Sequence, residues 1–210
     1  MKAKKASPAA LGRPREFDAD AALDAAMRVF WQKGYLGTSL SDLTEAMGIN
    51  RPSLYAAFGN KESLFRKALA RYSAGPAAYV SRAIDEPTAR GVAERMMRGV
   101  AELGTSSCNP AGCLWVHGTL SCGDTSDPVH KELSAHRAST IATLRRRFAR
   151  AVGEGDLPAG SDPGALARFV ATVNFGLAVQ AATGASRAEL LRVVDTALDA
   201  WPAGGKAARS

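Results

Sequence analysis

Residues 38–61, TSLSDLTEAMGINRPSLYAAFGNK, leave this chain little freedom in how it folds. Ser39 is followed three positions on by Asp42, the spacing of a helix start whose side chains satisfy each other's free backbone donors. Leu43, Ala46 and Met47 recur at the spacing of one helical face. Gly48 suits the left-handed conformation that ends a helix, and Ile49 buries itself in the elbow. Proline is tolerated only in the first turn of a helix, so Pro52 predicts a second helix starting near Asn50 or Arg51. Leu54 and Phe58 form its inner edge, while Arg51, Ser53 and Tyr55 offer groups that reach phosphates and base edges. The pattern is a helix-turn-helix that presents its second helix outward.

The flanks agree with this unit. Residues 1–15 are small, polar and basic, and Gly12-Arg13-Pro14-Arg15 places two arginines just before the first helix. Such an arm either lies along a duplex with Arg13 or Arg15 in the minor groove, or is a charged leader without a role. Asp18 caps the first helix, whose Leu23, Ala26, Met27 and Phe30 form an apolar stripe, with Trp31 beside it in the core. Gly34 ends that helix. Asn60 caps a fourth helix carrying Leu64, Phe65, Ala68 and Leu69 inward, and Gly75-Pro76 marks a boundary. The expected organisation is a basic arm (1–15), a helix-turn-helix domain (16–73), a helical second domain (74–202) and a tail (203–210).

The runs ALDAAMRVFWQKGYLGTSLSDLTEAMGI and PSLYAAFGNKESLF are specific in their order, and across Arg13 to Tyr72 the chain resembles the DNA-binding domain of the tetracycline-repressor (TetR) family of bacterial regulators. The resemblance implies an all-α protein with a helical effector-binding and dimerisation domain after the helix-turn-helix. It further implies a dimer on a partly palindromic double-stranded operator, commonly a repressor released by a small molecule. Carried over by position, Thr38 and Ser39 meet phosphates; Arg51, Pro52, Ser53 and Tyr55 lie on the recognition helix; Lys61 contacts the backbone. Arg51 is the base reader, since a guanidinium grips guanine O6 and N7 together. Ala56 and Ala57 depart from the larger side chains common there, so the base code rests on fewer residues.

The rest of the chain also reads as helices: Thr88 to Leu103, Gly112 to Cys122, a long one from Asp127-Pro128, one after Asp162-Pro163, and one capped by Ser186 and Glu189. Residues 105–112 and 152–161 are loops by composition. The last two helices are apolar beyond the needs of one core. Either they close the monomer's core or, as the resemblance implies, they pair with a twin through Phe169, Val173, Leu177, Leu191, Val194 and Leu198. Met96, Met97, Trp115, His117 and Phe175 are the candidates for an effector pocket, or are plain core.

Charge and composition narrow the function. The net charge is +7, with 12 Lys and Arg against 7 Asp and Glu in residues 1–73, so the excess lies with the helix-turn-helix, as a phosphate-binding surface requires. Three histidines and the absence of a Gly-rich phosphate loop, GxSxG or HExxH leave no enzyme motif, and no cofactor or resident metal is expected. An architectural DNA-binding protein would need less of a second domain. No apolar run reads as membrane-spanning and the N-terminus lacks a signal-peptide core, so a cytoplasmic protein without a membrane partner is expected. Cys113 follows Gly112 at a helix start, where thiolate is favoured, with His117 one turn on and Cys108 in the preceding loop. Three readings stay open: Cys113 and Cys122 are small buried residues, Cys113 is a redox or electrophile sensor with Cys108 as its resolving partner, or Cys108, Cys113 and His117 form a soft-metal site.

Overall fold

The computed structural model describes residues 17–120 and 128–202. Those residues form ten helices and no strand: α1 (Ala19–Gly37), α2 (Leu40–Met47), α3 (Arg51–Phe58), α4 (Lys61–Ala74), α5 (Tyr79–Ile84), α6 (Ala89–Gly104), α7 (Leu114–Leu120), α8 (Pro128–Gly153), α9 (Pro163–Ala182) and α10 (Arg187–Asp199). Local chemistry places most of the boundaries. Asp18 accepts from the Asp20 and Ala21 amides, Asn50 from Ser53, Asn60 from Ser63 and Asp162 from Gly164 and Ala165, so each of these helix starts has one or two of its free donors satisfied. Ser39–Asp42 and Ser186–Glu189 are reciprocal capping boxes. Gly48 ends α2 at φ 64°, a left-handed position that would strain a side chain. At Gly34 the φ/ψ of 69° and 176° interrupt α1, leaving a short final turn that carries Tyr35.

The first core gathers α1 to α4. Phe30 meets Phe65 edge-on at 4.9 Å, and Trp31 meets Tyr72 at 4.7 Å and 84°, the geometry aromatic quadrupoles favour. Leu43, Leu54, Phe58 and Leu64 complete it. Leu114 of α7 and Val129 and Leu133 of α8 enter the same core, so the second half of the chain grips the first directly. The second core joins α6, α8, α9 and α10 through Met97, Val100, Leu144, Phe148, Val170, Leu177, Val194 and Leu198.

Three expectations change. Helix α5 has no capping side chain and only six residues, too few for a periodic signal. Its place is set from across the fold, because the Tyr79 ring lies where a Cβ on Gly99 of α6 would be, 2.2 Å away. Helix α9 has 20 residues and contains an 18-residue stretch of mean hydropathy 1.3, long and apolar enough to cross a membrane by length and composition. That corrects the reading that no run is. In the fold it is a core helix packed on α6, α8 and α10. Leu177, Val194 and Leu198 are buried within their own chain, so they hold this monomer's core rather than present a face to a twin.

Candidate nucleic-acid interface and inner cavity

The cap of α3 presents its outer edge. Arg51 and Pro52 are exposed in its first turn, and Tyr55, one turn on from Arg51, is 48% exposed. Arg51 Nη2 donates to Ser41 Oγ of α2 at 3.2 Å, which holds the guanidinium across the turn. Ser53 is half-buried, and its amide donates to Asn50. Lys61 Nζ sits 4.5 Å from the centre of the Tyr35 ring, a cation on an aromatic face at the start of α4. Leu36 is also exposed beside that tyrosine, and no motif drew attention to it. Arg13 and Arg15 lie outside the described residues.

The two hydroxyls at the start of α2 are already engaged. Thr38 is 2% exposed and its Oγ1 donates to the Gly34 carbonyl at 2.6 Å, so the hydroxyl contact to phosphate implied for it is not available in this conformation. Ser39 Oγ donates to Asp42 and accepts from the Asp42 amide. Lys33, followed by the Ser39 bonds, holds the Asp42 carboxyl well below the usual carboxylate range. The Ser39 amide also donates to Asp42, at 2.8 Å, so what remains for an anion there is the first turn of α2 itself.

Between the two cores, five hydrogen bonds fasten the loop before α7, and α7 itself, to α1 and α4. Arg28 Nη1 donates to the Cys108 carbonyl at 2.8 Å, and Trp31 Nε1 to the Gly112 carbonyl at 3.2 Å. His117 Nδ1 lies 3.1 Å from the Trp31 carbonyl, which fixes the proton on that nitrogen. Tyr72 donates its hydroxyl to Cys113 Sγ at 3.4 Å, and Trp115 Nε1 donates to Ser73 Oγ at 3.2 Å. Sequence spacing carries no trace of these contacts, since the partners stand some 40 to 86 residues apart.

Beneath this fastening is a cavity of about 80 Å³ whose wall includes Met96, Cys113, Trp115, His136, Asn174 and Phe175. Of the five residues proposed for a pocket, Met96, Trp115 and Phe175 line it. Met97 turns into the second core and His117 into the α1 contact, and neither lines it. His136 stacks on Trp115 with the rings 3.5 Å apart and 4° from parallel, and burial lowers its pKa. Cys113 also borders the cavity. Burial pushes its thiol up more than the hydrogen bonds from Tyr72, Val116 and Trp115 pull it down, which overturns the expectation of thiolate at this helix start. Cys108 is exposed, Cys122 lies outside the described residues, and no group of three or more metal-ligating side chains occurs among those described.

A helix-turn-helix whose second helix exposes Arg51 and Tyr55, backed by a second helical core that borders a cavity, fits a DNA-binding regulator. Known proteins make the class specific. Residues 22–68 match the bacterial regulatory proteins of the tetR family, and residues 94–197 match the tetracyclin repressor-like C-terminal domain. The chain is 36% identical to the HTH-type transcriptional repressor ComR of Escherichia coli K12 over 193 residues, 91% of this chain and 92% of that one. It is 33% identical to the repressor BdcR of the same organism, covering 85% and 86%. Among solved structures, a cysteine-substituted mutant of the TetR family regulator CifR, complexed with 26-bp operator DNA, superposes with a TM-score of 0.85 at 48% identity, covering 91% of this chain and all of that one. The chain belongs to the TetR family of bacterial transcriptional regulators, which bind DNA and are not enzymes.

Proposed function

We propose that this chain is a cytoplasmic repressor that binds a partly palindromic operator as a homodimer and leaves it when a small molecule enters the second domain. The observation that carries the reading is the outer edge of α3, where Arg51, tethered to Ser41, is exposed one turn before exposed Tyr55. Arg51 reads a base pair, Tyr55 and Pro52 lie against the sugar-phosphate chain, and Lys61 and the first turn of α2 hold phosphates. Arg13 and Arg15 follow the minor groove. Full-length similarity to named repressors supports repression. Residues 16–73 serve DNA and 74–202 serve the effector and the twin.

One helix-turn-helix makes too few contacts for a specific site, so a second copy is required. The exposed apolar positions of α9 and α10, Phe169 and Val193 above all, with half-buried Val173 and Leu191, form the pairing face. The experiment is selection from a random duplex pool, followed by binding across a salt series. The expected outcome is one enriched sequence with two-fold symmetry, bound far more tightly than random DNA. A pool with no common sequence would instead make the chain an architectural binder.

A further inference from the structure

Helices α8 and α9 carry charge of one sign. From Leu133 to its end α8 has five arginines and no acidic residue, and α9 has Arg168 and no acidic residue. Most of these arginines are engaged. Arg137 donates to Ser134 and Arg146 to Thr143, Arg147 donates to the Glu86 and Pro87 carbonyls, and Arg150 pairs with Glu154. Arg145 and Arg168 have no hydrogen-bond or ion-pair partner among the described residues, yet both line one trough between the two helices, with a volume of about 280 Å³. Ala138, Ile141, Ala142 and Gly164 make up the rest of its wall, so the surface shared by the two guanidiniums is apolar. Like charges bordering one strip repel each other. The carboxylate at that end of α9, Asp162, caps the helix through the Gly164 and Ala165 amides and pairs with neither arginine.

We infer that this trough is a binding site, separate from the inner cavity, for a compact monoanionic amphiphile: a carboxylate lies between Arg145 and Arg168, and an apolar body covers Ala142 and Ile141. The inference rests on neither the operator reading nor the effector reading. Ile141 borders both spaces, but Ala142, Arg145 and Arg168 line the trough alone. The charge follows from two guanidiniums less the Asp162 carboxylate nearby. The two oxygens of a carboxylate also match the guanidinium fork. The apolar strip supplies what arginines open to water lack, since such charges attract any anion weakly and are screened by salt. Size follows from the volume. It is about twice that of an apolar cavity of about 150 Å³ that admits benzene, and so has room for a chain of about eight carbons. The helix end adds no donor, because Asp162 already takes its first free amides.

Octanoate, octan-1-ol, acetate and octyl phosphate are each titrated into the full-length isotope-labelled protein at neutral pH, following the Ala138 and Ala142 methyls and the Trp115 indole by NMR. The expected result is that octanoate shifts both methyls and leaves Trp115, on the inner cavity, unchanged. It should bind about tenfold more tightly than octanol, which lacks the charge, or acetate, which lacks the chain. Octyl phosphate should bind no more tightly than octanoate. Arg145→Gln combined with Arg168→Gln, both at exposed positions, should bring octanoate down to the affinity of octanol. Ala142→Trp should fill the trough and abolish the Ala138 shift. Octanol or acetate binding as tightly as octanoate, tighter binding of octyl phosphate, a shift confined to Trp115, or no shift with any probe would each overturn the inference. So would an octanoate affinity unchanged in the double glutamine variant.

Discussion

The base-reading role proposed for Arg51 needs a guanidinium that is exposed and still charged, and its neighbours leave it so. Its one described bond is to a neutral hydroxyl, Ser41 Oγ, which steadies the guanidinium without neutralising it. A carboxylate in that position would compete with guanine. Arg51→Ala should weaken binding to the selected site by about 1–3 kcal/mol and relax preference at one base position. Lys61 is held differently, over the Tyr35 ring, so Lys61→Ala should weaken all duplexes alike and lower the salt slope by about 1. Competition against single-base variants of the site separates the two outcomes. An Arg51→Ala protein with unchanged preference would remove the base-reading role. Thr38 shows why position alone misleads: its hydroxyl closes the α1 turn on the Gly34 carbonyl.

Among the elements, α9 and α10 divide their apolar residues between two tasks. Val170, Leu177, Val194 and Leu198 fill the monomer's core, while Phe169, Val179 and Val193 remain exposed. A glutamate at an exposed position costs the monomer little but leaves an unpaired charge in a buried pairing face. Phe169→Glu combined with Val193→Glu should therefore give monomers by sedimentation with helical content unchanged. Leu198→Glu should instead unfold the second core. A double variant that stays dimeric would place the pairing face elsewhere.

At the scale of the whole molecule, α7 and the loop before it join two cores that the sequence presents as separate. Buried Arg147 does comparable work elsewhere, donating from α8 to the Glu86 and Pro87 carbonyls and tying the α5–α6 loop to the second core. His136 sits within the α7 joint, stacked on Trp115. Burial lowers its pKa in the folded chain, so as pH falls the unfolded chain takes the proton first. The stability it contributes is complete above its ordinary pKa of about 6.5 and is lost as pH drops below that value towards the folded pKa. Thermal unfolding between pH 7.5 and 5.5 should show a falling midpoint, by about 2–4 °C for each kcal/mol lost. His136→Gln should flatten that part of the curve. An unchanged slope would show that His136 does not govern it.

The starts of six helices were legible in the residues because caps are local chemistry: Asp18, Ser39, Asn50, Asn60, Asp162 and Ser186 need only the next few amides to act. The exposed edge of α3 was legible for the same reason, since Pro52, Leu54 and Phe58 orient one short helix. The cavity and the α7 fastening were not. Trp31 with Gly112, Tyr72 with Cys113, and Trp115 with Ser73 meet across gaps of 81, 41 and 42 residues, and no periodicity encodes which indole finds which acceptor. Nor could spacing tell Met96, on the cavity wall, from its neighbour Met97 in the core, or foresee that burial would override the helix end at Cys113. Cap and turn chemistry reach only a few residues along the chain, whereas burial and the partners of a buried polar group depend on every element packed around it.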